Sequence, residues 1–412
     1  MRVAVITLGC KLNFAESSAI ARRFVESGFE EVSPDSAAEL YIVNTCTVTE
    51  HSDKKCRNLI RKAHKRNPNA VIAVTGCYAE LKQAEIEAIE GVSIVLGQSR
   101  KGDIYSECMR LLNSRTAEGS LQQSGKDEVF AACSFTERTR AFLKVQDGCN
   151  YFCTYCAIPY ARGRSRSVPL HILVEQAEEA AGRGVKEIVL TGVNIGDYKG
   201  GLLPVLKRLN AVEGIERFRI SSIEPNLLTE EMIRWIASGT KFQPHFHIPL
   251  QSGCDATLLR MRRRYDTSLF ANKIELIRDI MGDLFFGIDV ITGFPGENES
   301  EFEQTYNFLA NKILPAHIHI FPYSRRENTP AYSMPNQVDE RVKKERVAKL
   351  EELSAALQES YYSRFAGTTQ QVLFEGRVKE RPSLMGGYTG NYIRVERPYE
   401  EEAIGSIKEI VL

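Results

Sequence analysis

Three stretches within the first hundred residues share one design: an apolar run, a short turn and a cysteine. They are VAVITLGC ending at Cys10, LYIVNTC ending at Cys46 and AVIAVTGC ending at Cys77. Runs this rich in β-branched residues suit strands buried on both faces. Helical patterns separate them, ESSAIARRFVESG after Cys10 and DKKCRNLIRKAHKRNP after Cys46, the second closed by Pro68. Strand alternating with helix predicts a parallel sheet. It also gathers the three cysteines at the carboxyl edge, where open α/β sheets hold their ligands. One such cysteine alone reads as a buried core thiol; three at the same position of three strands read as a three-thiolate site. Gly9 and Gly76, just before Cys10 and Cys77, let backbone approach a bulky group. Asn44 and Thr45 can donate to its sulfurs or cap the following helix.

After a segment from about 98 to 138 that reads as one helix plus a linker, the alternation resumes. The expected strands are AFLKVQ, KEIVLTGV, RFRISSI, FHIPLQ, FFGIDVITGF and HIHIFPY, with helical patterns such as HILVEQAEEAAGRG and NKIELIRDIMG between them. Six β/α units are too few for an eight-fold barrel and fit an open, (β/α)6 partial barrel. The unusual residues fall at the strand ends, where barrels keep their chemistry. They include Gly192 and Asn194 after the second strand, Ser222 and Glu224 after the third, Gln251 and Ser252 after the fourth, Thr292 after the fifth and Tyr323 after the sixth.

The first of these strands runs into GCNYFCTYC, in which Cys149, Cys153 and Cys156 stand as C-x3-C-x2-C. Three thiolates on one loop can hold three irons of a [4Fe-4S] cube and leave the fourth iron open to a ligand. The competing reading is structural zinc, which wants four closed ligands, and no fourth Cys or His follows nearby. Just beyond, AIPYARGRSRS places Arg162, Arg164 and Arg166 where they can grip phosphate or carboxylate, although exposed arginines are often only solvated.

Lys plus Arg and Asp plus Glu both number 53, so no global field announces a nucleic-acid partner and any such surface is local. No run of about 18 apolar residues and no signal-peptide pattern occurs, and the expectation is a soluble, cytoplasmic protein with no membrane partner. Ten cysteines in such a chain point to metal or redox chemistry, not disulfides. Residues 339 to 366 read as a long amphipathic helix with a solvated charged face. From 368 onward short strands with Gly and Pro turns predict a small β-barrel of a kind that binds RNA, although its six basic and seven acidic residues give it no positive field. Tyr388, Tyr392 and Arg394 are its candidates for stacking on bases, with β-sheet core or surface as the alternative.

With both cysteine sets in this order, the chain resembles the radical S-adenosylmethionine (SAM) superfamily, and within it the methylthiotransferases. The resemblance implies an α/β enzyme in three parts: residues 1–115 as the N-terminal domain, 135–366 as the partial barrel and 367–412 as a TRAM-like β module. It implies two [4Fe-4S] clusters and SAM. Cys149, Cys153 and Cys156 would carry the cluster that binds SAM and, on reduction, cleaves it to methionine and a deoxyadenosyl radical. Cys10, Cys46 and Cys77 would carry an auxiliary cluster that supplies or carries the sulfur. One SAM would give the methyl group and another the radical. By the same resemblance Gly192, Asn194, Ser222, Glu224, Gln251, Ser252 and Thr292 line the SAM site, and Arg162, Arg164, Arg166 and Tyr323 the substrate site. TLGCKLNFAES, NTCTVTEHSDKK and VTGCYAE look most like the branch that methylthiolates N6-threonylcarbamoyladenosine in tRNA, just 3′ of the anticodon. The isopentenyladenosine branch has Gln-Met after the first cysteine, and a third branch modifies an Asp of a ribosomal protein. The implied partners are a tRNA anticodon stem-loop and an electron donor such as flavodoxin or ferredoxin, with the enzyme a monomer. A zinc-stabilised RNA-binding protein without catalysis is the alternative outside this family.

Overall fold

The computed structural model describes residues 1–47, 50–113, 129–134 and 139–412. The linker expected between the first two domains lies largely outside these residues.

Strands β1 (Arg2–Thr7), β2 (Glu30–Glu31), β3 (Leu40–Thr45), β4 (Val71–Gly76) and β5 (Ile94–Leu96) form one parallel sheet in the order β2-β1-β3-β4-β5. Every residue of β3 and β4 is buried, as continuous apolar runs require. Helices Lys11–Glu26 and Ile104–Asn113 cover one face through Ile20, Phe24 and Ile104. Helices Glu50–Arg66 and Cys77–Leu81 cover the other through Cys56, Ile60 and Tyr78. The strand order reverses direction between β1 and β3, the switch point at which sheets of this order bind ligands. Cys10 and Cys46 follow those two strands.

The second unit contains β6 (Cys133–Ser134), β7 (Arg140–Lys144), β8 (Gln146–Asp147), β9 (Arg166–Ser167), β10 (Glu187–Thr191), β11 (Arg217–Ile220), β12 (His245–Gln251), β13 (Phe285–Thr292) and β14 (His317–Pro322). Strands β7, β10 and β11 pair in parallel, as do β12, β13 and β14. Bridges Phe218–Phe242 and Ser222–His247 join the two sets into a six-strand partial barrel, and all six expected strands are present. Alternation sorts the strand residues. Ala141, Leu143, Ile188 and Leu190 meet the outer helices, whereas Phe142 and Val189 turn inward. That inner face is met by the N-terminal domain: Phe14 and Ala15 of helix Lys11–Glu26 pack on Phe142 and Val189, with Phe14 and Phe142 edge to face at 5.9 Å.

The long C-terminal helix spans Glu340–Ser363, its first turn capped by the Asp339 carboxylate. It covers the last barrel strand, where Ile318 N–H donates to Ser354 Oγ at 3.0 Å. Its charges are not all solvated. Arg346 is buried and pairs with buried Glu297 at 2.6 Å.

The final module is an antiparallel half-barrel of β15 (Thr369–Val378), β16 (Arg381–Thr389), β17 (Arg394–Pro398) and β18 (Ile407–Val411), in the order β17-β16-β15-β18. It seals the floor of the partial barrel. Arg219, 1% exposed, bonds Glu187 Oε1 at 2.7 Å and donates to the carbonyls of Gly390 and Thr389 at 2.7 and 2.8 Å. Tyr392 packs on His245 and Phe285 at 4.5 and 5.2 Å and stacks on Tyr388 at 4.7 Å, with Arg140 over both tyrosine rings. The two tyrosines are therefore floor residues turned toward the barrel, not an RNA-stacking platform; the aromatic pattern of a β-module does not say which face its neighbour takes.

Replacing Arg219 with Ala would leave Glu187 buried beside the more distant Arg140, 3.6 Å away. The expected cost is about 3–5 kcal/mol of stability, read from urea unfolding followed at the aromatic residues of the floor.

Candidate metal and cofactor site

The C-x3-C-x2-C loop sits between β8 and the short helix Ile158–Arg162, at the carboxyl end of the first barrel strand. Gly148 opens the loop at φ +73°, where a Cβ would stand 2.1 Å from the Arg164 carbonyl oxygen. Phe152, inside the loop, also adopts a positive φ of 51°. The turn is tied from both sides. Cys149 N–H donates to Gly163 O at 3.1 Å, Thr154 N–H to Met261 O at 3.1 Å and Ala331 N–H to Thr154 O at 2.9 Å. Arg263, buried beneath, donates to Cys153 Sγ at 3.1 Å and to the Tyr155 hydroxyl at 3.2 Å, and pairs with Glu224. Burial pushes the Cys156 thiol up to about 12 and raises Cys149. Thiolates here therefore need a metal's positive charge.

Cys10, Cys46 and Cys77 follow the carboxyl ends of β1, β3 and β4. A Cβ on Gly9 would lie 3.0 Å from Cys46 Sγ, and Gln98 Nε2 donates to Cys77 Sγ at 3.3 Å. Among the described residues, neither cysteine trio has its three sulfurs within 4.8 Å of one another. Asn44 and Thr45 serve the scaffold. Asn44 Nδ2 donates to Asn13 O at 2.9 Å, and Thr45 Oγ1 to Thr75 O at 2.6 Å.

Between the two trios lies a buried charge network that spans the domain boundary. Glu16 of the N-terminal domain is fully buried and meets Lys101, Lys144 at 2.6 Å and Arg162 at 3.1 Å. Asp147 meets Lys144 at 2.7 Å and Arg162 at 3.0 Å. Arg162 also donates to Asn13 Oδ1 at 2.5 Å. Burial alone would raise both carboxyls, but Arg162, Lys101 and Lys144 hold Glu16 well below its ordinary range, and Lys144 and Arg162 hold Asp147 near 2. Burial likewise opposes the Arg162 charge, and Cys77, Glu16, Asp147 and Cys10 outweigh it. The expectation that Arg162 grips substrate is thus corrected: at 3% exposure its guanidinium is committed to protein groups. Arg166 donates to the Arg162 carbonyl at 2.9 Å, and only Arg164 of the three is exposed.

The strand-end residues divide in two. Asn194, Thr292 and Tyr323 are buried, and Asn194 Oδ1 and Nδ2, Thr292 Oγ1 and Tyr323 Oη find no hydrogen-bond partner of standard geometry among the described residues. Asn194 does lie close enough to the Tyr151 hydroxyl to lower its pKa slightly against burial. Buried polar atoms left in this state mark a place for a ligand. Gln146 Oε1 shapes the turn beside them, accepting from Val193 and Asn194 N–H at 3.1 and 2.8 Å, and Gly192 lies where a Cβ would be 3.0 Å from Gln146 O. Gln251 ends β12 at φ +67°. Ser222 joins β11 to β12 through its bridge to His247. Ser252 and Glu224, by contrast, are occupied: Ser252 Oγ by Thr305 at 3.2 Å and Cys254 N–H, and Glu224 by Arg263.

A cleft of about 450 Å³ opens between the domains, lined by Thr47 and Ala157, the residues directly after Cys46 and Cys156. Arg326 crosses its wall to Thr47 and to Asp53 at 2.9 Å. The cleft thus opens beside one cysteine of each trio, Cys46 and Cys156. Sequence reasoning missed Glu16, Lys101, Lys144 and Asp147, because charged residues in helix and strand patterns read as solvated; only their later neighbours bury them.

Known proteins place this geometry. Residues 2–97 match the family described as Uncharacterized protein family UPF0004, and residues 143–309 match the radical SAM superfamily. The solved radical S-adenosylmethionine methyltransferase TsrM from Kitasatospora setae shares the fold with a TM-score of 0.59 at 14% identity, over 80% of this chain and 77% of that one. Fold and cysteine loop together define a radical SAM protein, a class that works with SAM and a [4Fe-4S] cluster. Among relatives, the threonylcarbamoyladenosine tRNA methylthiotransferase MtaB of Bacillus subtilis (strain 168) is 41% identical over 99% of this chain and 93% of its own length. The Aquifex aeolicus (strain VF5) protein of that name is 37% identical over 100% of both. The tRNA-2-methylthio-N(6)-dimethylallyladenosine synthase of Fusobacterium nucleatum is 32% identical over 94% and 91%. The chain belongs to the radical SAM methylthiotransferase family.

Carboxyls whose native pKa lies below the unfolded value stabilise the fold above the unfolded pKa and lose that contribution as pH falls through the native one. For Asp147 the window runs from 3.8 down to about 2. Stability measured by denaturant at stepped pH should fall across it. Glu16→Gln should cost about 3–5 kcal/mol at pH 7 by leaving Lys101 without a carboxylate and Lys144 and Arg162 with Asp147 alone, and should flatten the acid limb.

Proposed function

We propose that this chain installs a methylthio group on N6-threonylcarbamoyladenosine in tRNA, beside the anticodon. The observation that carries the reading is the full-length match to the threonylcarbamoyladenosine methylthiotransferases, joined to two cysteine trios whose neighbours Thr47 and Ala157 line one interdomain cleft. No helix among the described residues is long and apolar enough to cross a membrane, which agrees with a cytoplasmic tRNA enzyme.

Three assignments deepen the reading. Cys149, Cys153 and Cys156 hold the SAM-binding [4Fe-4S] cluster, and Cys10, Cys46 and Cys77 hold an auxiliary one. Together with SAM these groups supply the radical and sulfur chemistry that a C–H bond on an adenine ring demands, since such a bond offers neither an acidic proton nor a leaving group. The chain's own residues bind, orient and exclude. Gly192, Asn194, Gln251 and Thr292 take SAM along the barrel top, supported by the unpaired buried atoms of Asn194 and Thr292. Arg263 donates to Cys153 Sγ at 3.1 Å and so fixes where that sulfur lies. The charge network beside Cys10 and Cys77 carries three cations against two carboxylates. Arg164 and Tyr323 face the region the substrate must enter. The target base leaves its stack to reach the cleft, and an electron donor of the flavodoxin or ferredoxin kind docks where a cluster nears the surface. We take residues 1–115, 135–366 and 367–412 as the three units of one monomer.

Mass spectrometry of tRNA nucleosides from cells lacking the gene tests the reading. The methylthio derivative of threonylcarbamoyladenosine should disappear while its precursor accumulates; unchanged levels would refute it. In the purified protein, Cys153→Ser and Cys46→Ser should each remove about four of about eight irons per chain, and each should abolish methylthiolation.

A further inference from the structure

The inner wall of the barrel carries a polar group that neither cysteine trio uses. His247 on β12, Asp289 on β13 and His319 on β14 bring their side-chain N and O atoms within 4.8 Å of one another. His247 Nε2 lies 2.6 Å from Asp289 Oδ1, and the His247 and His319 rings stack at 4.8 Å. Such a trio can take a divalent cation. Its surroundings favour the opposite charge. Its only carboxylate is already hydrogen-bonded to His247, and Lys11 lies within electrostatic reach of Asp289, Arg140, Arg219 and Tyr392.

Lys11 is the first residue of helix Lys11–Glu26, directly after Cys10. Phe14 and Ala15 of that helix lie on Phe142 and Val189, on the inner face of the barrel. Residues three and four positions apart share a helix face, so Lys11 lies one turn before them on the side that enters the lumen. The other cations around this lumen are matched: Arg140 meets Glu375, and Arg219 meets Glu187. The Lys11 side chain makes no hydrogen bond or ion pair among the described residues. Lys11 is exposed, so its ammonium is open to an incoming anion.

We infer that Lys11, His247 and His319 form the pocket for the N6 substituent of the target adenosine, with Lys11 pairing with its threonyl carboxylate. This rests on the function proposed above. The carboxylate is the one charge this base carries that an unsubstituted adenosine lacks, and Lys11, beside the first cysteine of the auxiliary trio, is placed to hold it near that trio. His319, kept neutral because burial lowers it to about 4, offers one donor and one acceptor, which suits the threonyl hydroxyl. Asp289 is hydrogen-bonded to His247 at 2.6 Å and orients its ring. The grip expected from Arg162 passes to a residue on the other domain.

The test compares two anticodon stem-loop RNAs, one carrying N6-threonylcarbamoyladenosine and one in which the threonyl carboxylate is a neutral methyl amide. Reconstituted wild-type protein, Lys11→Met and Lys11→Arg are assayed for kcat and KM on each, and their iron content is measured. The wild type should prefer the carboxylate RNA by on the order of a hundredfold in kcat/KM, mostly through KM. Lys11→Met should abolish that preference at unchanged iron content, and Lys11→Arg should restore most of it. A Lys11→Met protein that keeps the preference overturns the proposal, as does one that loses iron or loses both RNAs equally. A wild type inactive on both RNAs instead refutes the underlying function, and the pocket with it.

Discussion

Glu16 is the point on which the two large domains depend. A carboxylate taken fully out of water costs several kcal/mol, and only close, multiple partners offset that. Lys101 comes from its own domain, whereas Lys144 and Arg162 come from the barrel. The domains therefore cannot part without stranding charge in a low-dielectric interior. The linkage also sets register. Arg162 ends the helix that follows Cys156, and Asn13 and Glu16 lie on the helix that follows Cys10. The same bonds that hold the domains together thus fix one cysteine trio relative to the other.

The barrel is closed by borrowed parts. Six strands leave an open side, and the helix Lys11–Glu26 lies against the inner face of β7 and β10, while Ser354 of the last helix meets the edge of β14. Below, the C-terminal half-barrel supplies Tyr392 and the carbonyls that receive Arg217 and Arg219. Each domain thereby contributes to one lumen. The module, which has no net positive field, thus serves as a floor, with Glu375 paired to Arg140 of the barrel.

Much of the fold was legible in the chain. Continuous apolar runs imply strands buried on both faces, and their alternation with helical periods leaves little choice but a parallel sheet and a barrel; all the expected barrel strands occur. The cysteines were legible because thiol spacing and strand-end position are local properties. Asn194, Thr292 and Tyr323 were picked out as strand-end polar residues, and they are buried there with unpaired atoms. The arginines were read less well. Arg162 and Arg164 are two residues apart and alike in composition, yet one is internal and the other exposed. Arg263, in a basic run that offered no local sign of burial, lies against Cys153.

What the sequence determined by itself was the set of strands and helices, the order in which they pack and the two groups of three thiols, because periodicity and ligand spacing act over a few residues of contiguous chain. What only the tertiary structure decided was the company each charge keeps. Whether Glu16, Arg162 or Asp289 faces water or a partner depends on residues from 42 to 146 positions away. The cost of burying a charge is set by those partners and not by its neighbours in sequence.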